Sequence, residues 1–163
     1  MKIFLYTALT CALATVAFAQ NHPDFSGIWK MDASRSKIPN SSDQVPRMTR
    51  RVRQYRTVVA ITEMQSLNGK ENELDRKLST DGSKLTAELA FPQGIIPLVP
   101  RYRELSMTSY GLWEGEKLVS DTMFSSGEKA TLHEVWTMSD DGQTWTDEMT
   151  WNGMPARLVF SKQ

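Results

Sequence analysis

From residue 25 onward the chain alternates apolar and polar residues with a period of two. Trp145, Asp147, Met149 and Trp151, for example, are interleaved with Thr146, Glu148 and Thr150. Successive side chains of a strand point to opposite faces, so this pattern predicts strands with one covered face. The runs are separated by turn dipeptides: Asn68-Gly69, Asp81-Gly82, Glu114-Gly115, Ser126-Gly127, Asp141-Gly142 and Asn152-Gly153. Most lie 11 to 15 residues apart, the spacing of successive antiparallel hairpins. The predicted strands are 25–31, 48–55, 57–66, 72–79, 84–91, 102–113, 116–124, 129–138, 143–151 and 155–161. No segment carries a long helical period. One helical turn is predicted at Asp32 to Lys37, with Asp32 as its N-cap.

A meander of nine or ten strands leaves two exposed edges unless the sheet closes. The fold class expected is therefore all-β, an antiparallel up-and-down meander forming a closed or nearly closed barrel of eight to ten strands. A two-sheet sandwich is the runner-up. Two segments interrupt the rhythm. Ile38 to Pro46 is a polar connection containing proline, and Phe91 to Pro100 ("FPQGIIPLVP") is apolar with three prolines, which rules out a central strand.

Two-residue turns at the last four dipeptides fix an inside–outside register for the C-terminal half. One face then carries Tyr110, Asp121, Glu134, Trp136, Trp145, Asp147, Trp151 and Phe160 with several Met and Leu. The other carries mostly Thr, Ser and charged residues. The first face is expected inside. It brings Asp121, Glu134 and Asp147 into an apolar interior, where unpaired carboxylates need an inward Arg, water or a cationic ligand. A one-residue slip in any hairpin would reverse the assignment beyond it.

The first 19 residues read as something other than fold. Lys2 precedes an apolar run, Ile3 to Phe18, too short for a comfortable membrane span, and Ala17-Phe18-Ala19 matches a signal-peptidase site. Residues 1–19 are expected to be a signal peptide and 20–163 a single barrel domain, periplasmic or secreted. A lipoprotein reading through Cys11 is disfavoured by Thr10 and by the apolar run continuing past it. Cys11 is the one cysteine, so residues 20–163 have neither a disulfide nor a thiol nucleophile. The 19 basic and 19 acidic residues balance. Near-neutrality argues against bulk electrostatic binding to nucleic acid or membrane, and no transmembrane segment follows the leader.

Candidate chemistry is sparse. His22 and His133 are the two histidines, and His133 and Glu134 point to opposite faces of a strand, so no metal site is expected. Ser120 faces His133 in the assumed register, but on the Thr-rich face, where a cross-strand hydrogen bond is the simpler reading. No nucleotide-binding or nucleophile-elbow motif is present. "RMTRRVRQYR" places Arg51, Arg53 and Tyr55 on one strand face. Arg51 and Arg53 form a candidate anion site, set against a solvated edge strand that uses charge to block aggregation. "FPQGIIPLVP" is read as a lid or portal.

"PDFSGIWKMDASRSK" and the late hairpin "EVWTMSDDGQTWT" resemble lipocalin-like secreted proteins of acidobacterial-type genomes. In those, a "dFSGtWkld" start follows an export signal. The matching positions are Phe25, Ser26, Gly27, Trp29, Lys30 and Ser36, then Trp136, Ser139, Asp141 and Gly142. The resemblance implies a calycin-like barrel in which Trp29 plugs the closed end. In lipocalins that Trp packs beneath an Arg of the last strand, here nominally Arg157, which the register places outward.

The function expected is binding of a small, largely apolar or amphipathic molecule in the barrel lumen, without cofactor. Tyr110, Trp136, Trp145 and Trp151 would line the lumen, and Asp121, Glu134 and Asp147 would orient a polar end. The alternatives are a barrel enzyme with a buried carboxylate as acid or base, and a filled barrel acting as an envelope interaction module. No residue is assigned as catalytic, and ligand identity and oligomeric state stay open.

Overall fold

The computed structural model describes residues 22–39, 45–90, 104–125 and 129–163. Its strands are β1 (Gly27–Met31), β2 (Arg47–Tyr55), β3 (Val58–Leu67), β4 (Lys70–Ser79), β5 (Leu85–Ala90), β6 (Glu104–Glu114), β7 (Lys117–Ser125), β8 (Lys129–Met138), β9 (Thr144–Trp151) and β10 (Met154–Lys162). All ten match the strands expected from the alternation. Residues 1–21, which include the expected signal peptide, residues 40–44 of the polar connection and the three-proline segment 91–100 lie outside the described residues.

The strands form one antiparallel sheet in the order β4-β3-β2-β1-β10-β9-β8-β7-β6-β5. The first and last strands pair directly, Trp29 opposite Lys162. The free edges are therefore the consecutive strands β4 and β5. They are brought together by β6 rather than by a ladder between them. Ser109 Oγ donates to Lys77 O at 2.6 Å, and Gly111 N donates to Ser79 Oγ at 3.1 Å. A Cβ at Gly111 would lie 2.4 Å from the Ser79 carbonyl oxygen, so only glycine permits this approach. The result is a nearly closed barrel. β2 is flanked by β1 and β3, which overturns the edge-strand reading of its arginines.

Hairpin chemistry sets the register. Asn68 and Gly69 both adopt positive φ, as do Asn152 and Gly153, the geometry that a two-residue type I′ turn demands. Asp32 caps the single turn expected there: its side chain accepts from Ser34 N at 3.0 Å and its carbonyl accepts from Ser36 N at 3.1 Å, after which the chain passes into a bridge between Lys37 and Arg157. No helix occurs among the described residues.

Between β7 and β8, Ser125 pairs with Lys129, leaving three residues in the connection where two were assumed. The extra residue reverses every side chain of β7 and, through it, of β6. Leu118, Ser120, Thr122 and Phe124 face inward. Tyr110 and Asp121 face outward, on one cross-strand row with His133.

An aromatic cluster fills one end of the barrel. Phe25, Trp29, Trp136, Trp145 and Phe160 are all fully buried. Trp136 and Trp145 meet at 4.5 Å between ring centroids, and Trp145 stacks on Phe160 at 4.8 Å. Trp29 donates its indole N–H to Phe25 O at 2.8 Å and meets Trp145 edge-on. Gly27 of the Gly-x-Trp pair has φ of 141°, a region closed to most side chains, and directs the chain so that Trp29 turns in. The cation over Trp29 is Lys162, 5.3 Å from the ring centroid, and not Arg157, which lies outside near Glu148.

Candidate functional site

Five ionisable residues cross the barrel interior: Arg50 of β2, Glu63 of β3, Arg76 of β4, Glu134 of β8 and Asp147 of β9. All are buried. Met48 and Val52 share the inward face of β2, and the period-two alternation carries Arg50 in with them. Val59 and Ile61 do the same for Glu63, and Leu78 for Arg76.

The partners are specific. Arg50 Nε donates to Glu63 Oε2 at 2.6 Å and Arg50 Nη1 donates to Asp147 Oδ2 at 2.7 Å. Its guanidinium also lies 4.8 Å from the Trp145 ring centroid and 4.6 Å from that of Phe160, a favourable position for a cation. Arg76 holds Glu134 with a two-pronged hydrogen bond, Nη2 to Oε1 at 2.6 Å and Nη1 to Oε2. Gln65 Nε2 donates to the remaining oxygen of Glu63.

Two cations thus face three acids. Burial opposes ionisation of Glu134, but the Arg76 charge and its hydrogen bonds prevail and hold the carboxyl down at about 2. Glu63 likewise stays below the ordinary carboxylate range, with Arg50 and Arg76 outweighing burial. Asp147 goes the other way. Burial, and then the charge of Glu134 beside it, push it up to about 7, although Arg50 is in contact. Arg50 divides its charge between two acids, so it offsets only part of that rise. A proton on Asp147 balances the interior at two positive and two negative charges.

Six buried side-chain polar atoms have no hydrogen-bond partner among the described residues: Gln65 Oε1, Asn72 Oδ1, Thr122 Oγ1, Trp136 Nε1, Trp145 Nε1 and Asp147 Oδ1. Trp136 and Asp147 are direct cross-strand neighbours and the Trp136 and Trp145 rings meet, so three of these atoms belong to adjoining side chains at the aromatic end. Each such atom costs about 1–3 kcal/mol if it stays unpaired. The arrangement can accept hydrogen bonds from, and donate them to, a polar group set against an aromatic wall.

Of the residues expected to line a lumen, Glu134, Trp136, Trp145, Asp147 and Trp151 are buried and inward. Tyr110 and Asp121 are not. Asp121 Oδ1 accepts from His133 Nδ1 at 2.8 Å on the outer surface, where both side chains are about half exposed. Ser120 is opposite Glu134 instead of His133 and donates to it at 3.4 Å. Arg51 and Arg53 are exposed on the outer face of β2. Arg50, Glu63 and Arg76 were not singled out by the sequence reading, although the apolar parity of their strands marks them. Among the described residues no group of three or more His, Cys, Asp or Glu could hold a metal ion.

No protein-family model matches the chain and no curated protein sequence does, so the likeness to acidobacterial-type secreted proteins finds no support there. Solved structures do match. Lipid binding protein 8 of Caenorhabditis elegans has a TM-score of 0.54 at 14% identity, covering 85% of this chain and 95% of that one. A secretory abundant heat soluble protein of Ramazzottius varieornatus has a TM-score of 0.57 at 9% identity, covering 88% and 98%. Human cRBP IV has a TM-score of 0.52 at 12% identity, covering 86% and 98%. At these identities the likeness is one of fold: the chain has the lipocalin-like barrel shared by such proteins.

Proposed function

We propose that the protein is an exported barrel that holds a small, largely apolar molecule in its interior, with a neutral polar group of that molecule set against the Trp136, Trp145 and Asp147 atoms. The observation that carries this reading is that the indole N–H groups of Trp136 and Trp145, two fully buried rings 4.5 Å apart between centroids, have no hydrogen-bond partner among the described residues. A purely structural core has no use for such atoms, whereas a bound carbonyl or hydroxyl satisfies them. That barrels of like fold include proteins described as lipid binding protein 8 and as a fatty acid transporter supports the class of ligand. The apolar segment ahead of Ala17-Phe18-Ala19 supports export.

The test is native mass spectrometry of the purified protein, followed by Trp136→Phe. This variant keeps most of the ring surface and removes one orphaned N–H. It is expected to leave unfolding unchanged or slightly harder in the absence of ligand, and to weaken ligand binding several-fold. A protein that co-purifies with nothing and binds no apolar probe up to about 1 mM would leave the filled-barrel alternative. Processing of residues 1–19 is checked separately by the intact mass of the exported chain.

A second reading, an acid–base enzyme, has one observation in its favour: the Asp147 carboxyl pushed up to about 7 in a buried site. It requires a turnover whose pH profile breaks near neutrality and vanishes in Asp147→Asn.

A further inference from the structure

The interior guanidinium groups are already committed. Arg76 is closed by Glu134, and Arg50 is shared by Glu63 and Asp147. A ligand carboxylate arriving there would be a fourth acid against two cations, so the barrel interior disfavours an anion.

Outside, the balance is opposite. Arg51 and Arg53 project from the outer face of β2, and Lys77 lies on the same cross-strand row as Arg53, with only Ala60 between them. None of the three has an ion pair among the described residues. The acid among them, Asp75, accepts a 2.6 Å hydrogen bond from Thr62 Oγ1. β2 is an interior strand of the sheet, so its charges are not needed to guard an edge. These residues border a groove of about 830 Å³ that runs between the outer face of β2–β4 and the start of β5. The groove is also lined by Ile61, Met107 and Arg76, which belong to the inward faces of their strands, and by the apolar Leu85. It therefore joins a cationic lip to the wall of the interior at the seam where β4 and β5 are not laddered.

We propose that this groove takes the anionic head of an amphiphile, carboxylate or phosphate, held head-out on Arg51, Arg53 and Lys77, with its tail directed through the β4–β5 seam toward the aromatic interior. This rests on the barrel-binding reading for where the tail ends; a natural ligand carries its neutral polar group at the far end of the tail, which plain alkyl probes lack. The lip supplies the charge that the interior cannot, and the interior supplies the apolar surface that the lip lacks.

The experiment is an NMR titration of the full chain with dodecanoate, dodecyl phosphate, inorganic phosphate and dodecyltrimethylammonium. Two groups of signals are followed: backbone amides of β2–β5 at the lip, and the indole N–H signals of Trp136 and Trp145 inside. Dodecanoate and dodecyl phosphate are expected to move both groups. Arg51→Gln with Arg53→Gln, both exposed and free of structural partners, is expected to weaken that binding about tenfold at low salt. Equal binding by dodecyltrimethylammonium, or unchanged affinity in the double variant, overturns the anionic head site. Inorganic phosphate binding as tightly as dodecyl phosphate overturns the amphiphile and leaves a free-anion site. Indole shifts that survive the double variant keep the barrel reading while refuting this one. Silence of both groups to every probe refutes the two together.

Discussion

Asp147 predicts an unusual pH dependence of stability. Its carboxyl is raised from 3.8 to about 7 in the folded protein. Between those values the unfolded chain has released the proton and the native state retains it, so the native state binds one proton more. Stability then falls as pH rises, by up to about 1.4 kcal/mol per unit, and by no more than about 4 kcal/mol across the whole window. That is a large share of the ~5–15 kcal/mol typical of a domain. Most small proteins gain or hold stability over this range. Above the folded value the loss is complete and the curve flattens. Glu134 and Glu63 act in the opposite direction. Their lowered values give stability that is present above the unfolded carboxylate range and is lost as pH falls toward 2. The combined curve peaks near pH 4 to 5.

Asp147→Asn separates the two limbs. The amide oxygen can still accept from Arg50 Nη1, and the interior becomes neutral at every pH above the acid limb. The variant is expected to lose the fall between pH 4.5 and 8, and at pH 8 to match or exceed the wild type. Urea unfolding followed by tryptophan fluorescence, at fixed ionic strength in steps across pH 3 to 8, reads both limbs. The groups facing Asp147 are Glu134, Arg50 and Arg76, and none of them titrates between pH 4.5 and 8. A wild-type curve that is flat or rising over that window, or an Asp147→Asn curve with the same fall, would refute the reasoning.

Further outcomes follow from the same geometry. Glu134→Leu should cost about 3–5 kcal/mol in urea unfolding, since it leaves a buried Arg76 without its partner, and adding Arg76→Met should restore most of that. A single variant within 1 kcal/mol of wild type would contradict the ion pair. Gly111→Ala should destabilise by about 1–3 kcal/mol, because the new methyl meets the Ser79 carbonyl and backbone cannot yield as a side chain does. Hydrogen exchange should show the loss at the β4–β6 contact first, whereas a uniform effect would argue against a local seam. Trp29→Ala should cost about 3–5 kcal/mol by the same unfolding assay, and a value under 1 kcal/mol would remove its role as the plug.

The strands were legible because each run of β-branched and aromatic residues is bounded by a turn dipeptide whose φ requirements are local. The inward face of β8–β10 was legible for the same reason. The Asn152-Gly153 turn has two residues, and the register passes through it unchanged. β7 was not legible. Its two faces carry Leu118 and Phe124 against Val119 and Met123, so hydrophobicity does not choose between them. The parity rested on the connection after Ser125, which is one residue longer than assumed. Tyr110 and Asp121 moved outside with it. Arg50 was legible in principle, flanked by inward Met48 and Val52, but the denser charge at Arg51 and Arg53 drew the reading to the opposite face. The Arg76–Glu134 pair lies 58 residues apart and joins strands that do not neighbour each other in the sheet. Only barrel closure brings them together, and no local signal encodes that.

The ion pairs and the weak seam explain one another. β4 and β5 are the free edges of the sheet, and the described contacts that close them reduce to a few hydrogen bonds around Ser79, Ser109 and Gly111. Arg76 springs from the edge strand itself and reaches Glu134 on the far wall, while Arg50 reaches Asp147 beside it. Each pair crosses the interior and ties the β2–β4 half to the β8–β9 half, holding the edge in place from within. Braces of this kind use up the cations that could otherwise meet an anionic ligand. What they leave over is one labile proton on Asp147, two indole donors and an aromatic wall, which suit a neutral or apolar group. Among the described residues, Arg51, Arg53 and Lys77 are cations without an ion pair on the outside, at the same seam that the braces hold. A barrel that needs its interior charge for its own closure therefore has reason to meet an anion at the rim, and the head-out geometry follows from how the fold is held together.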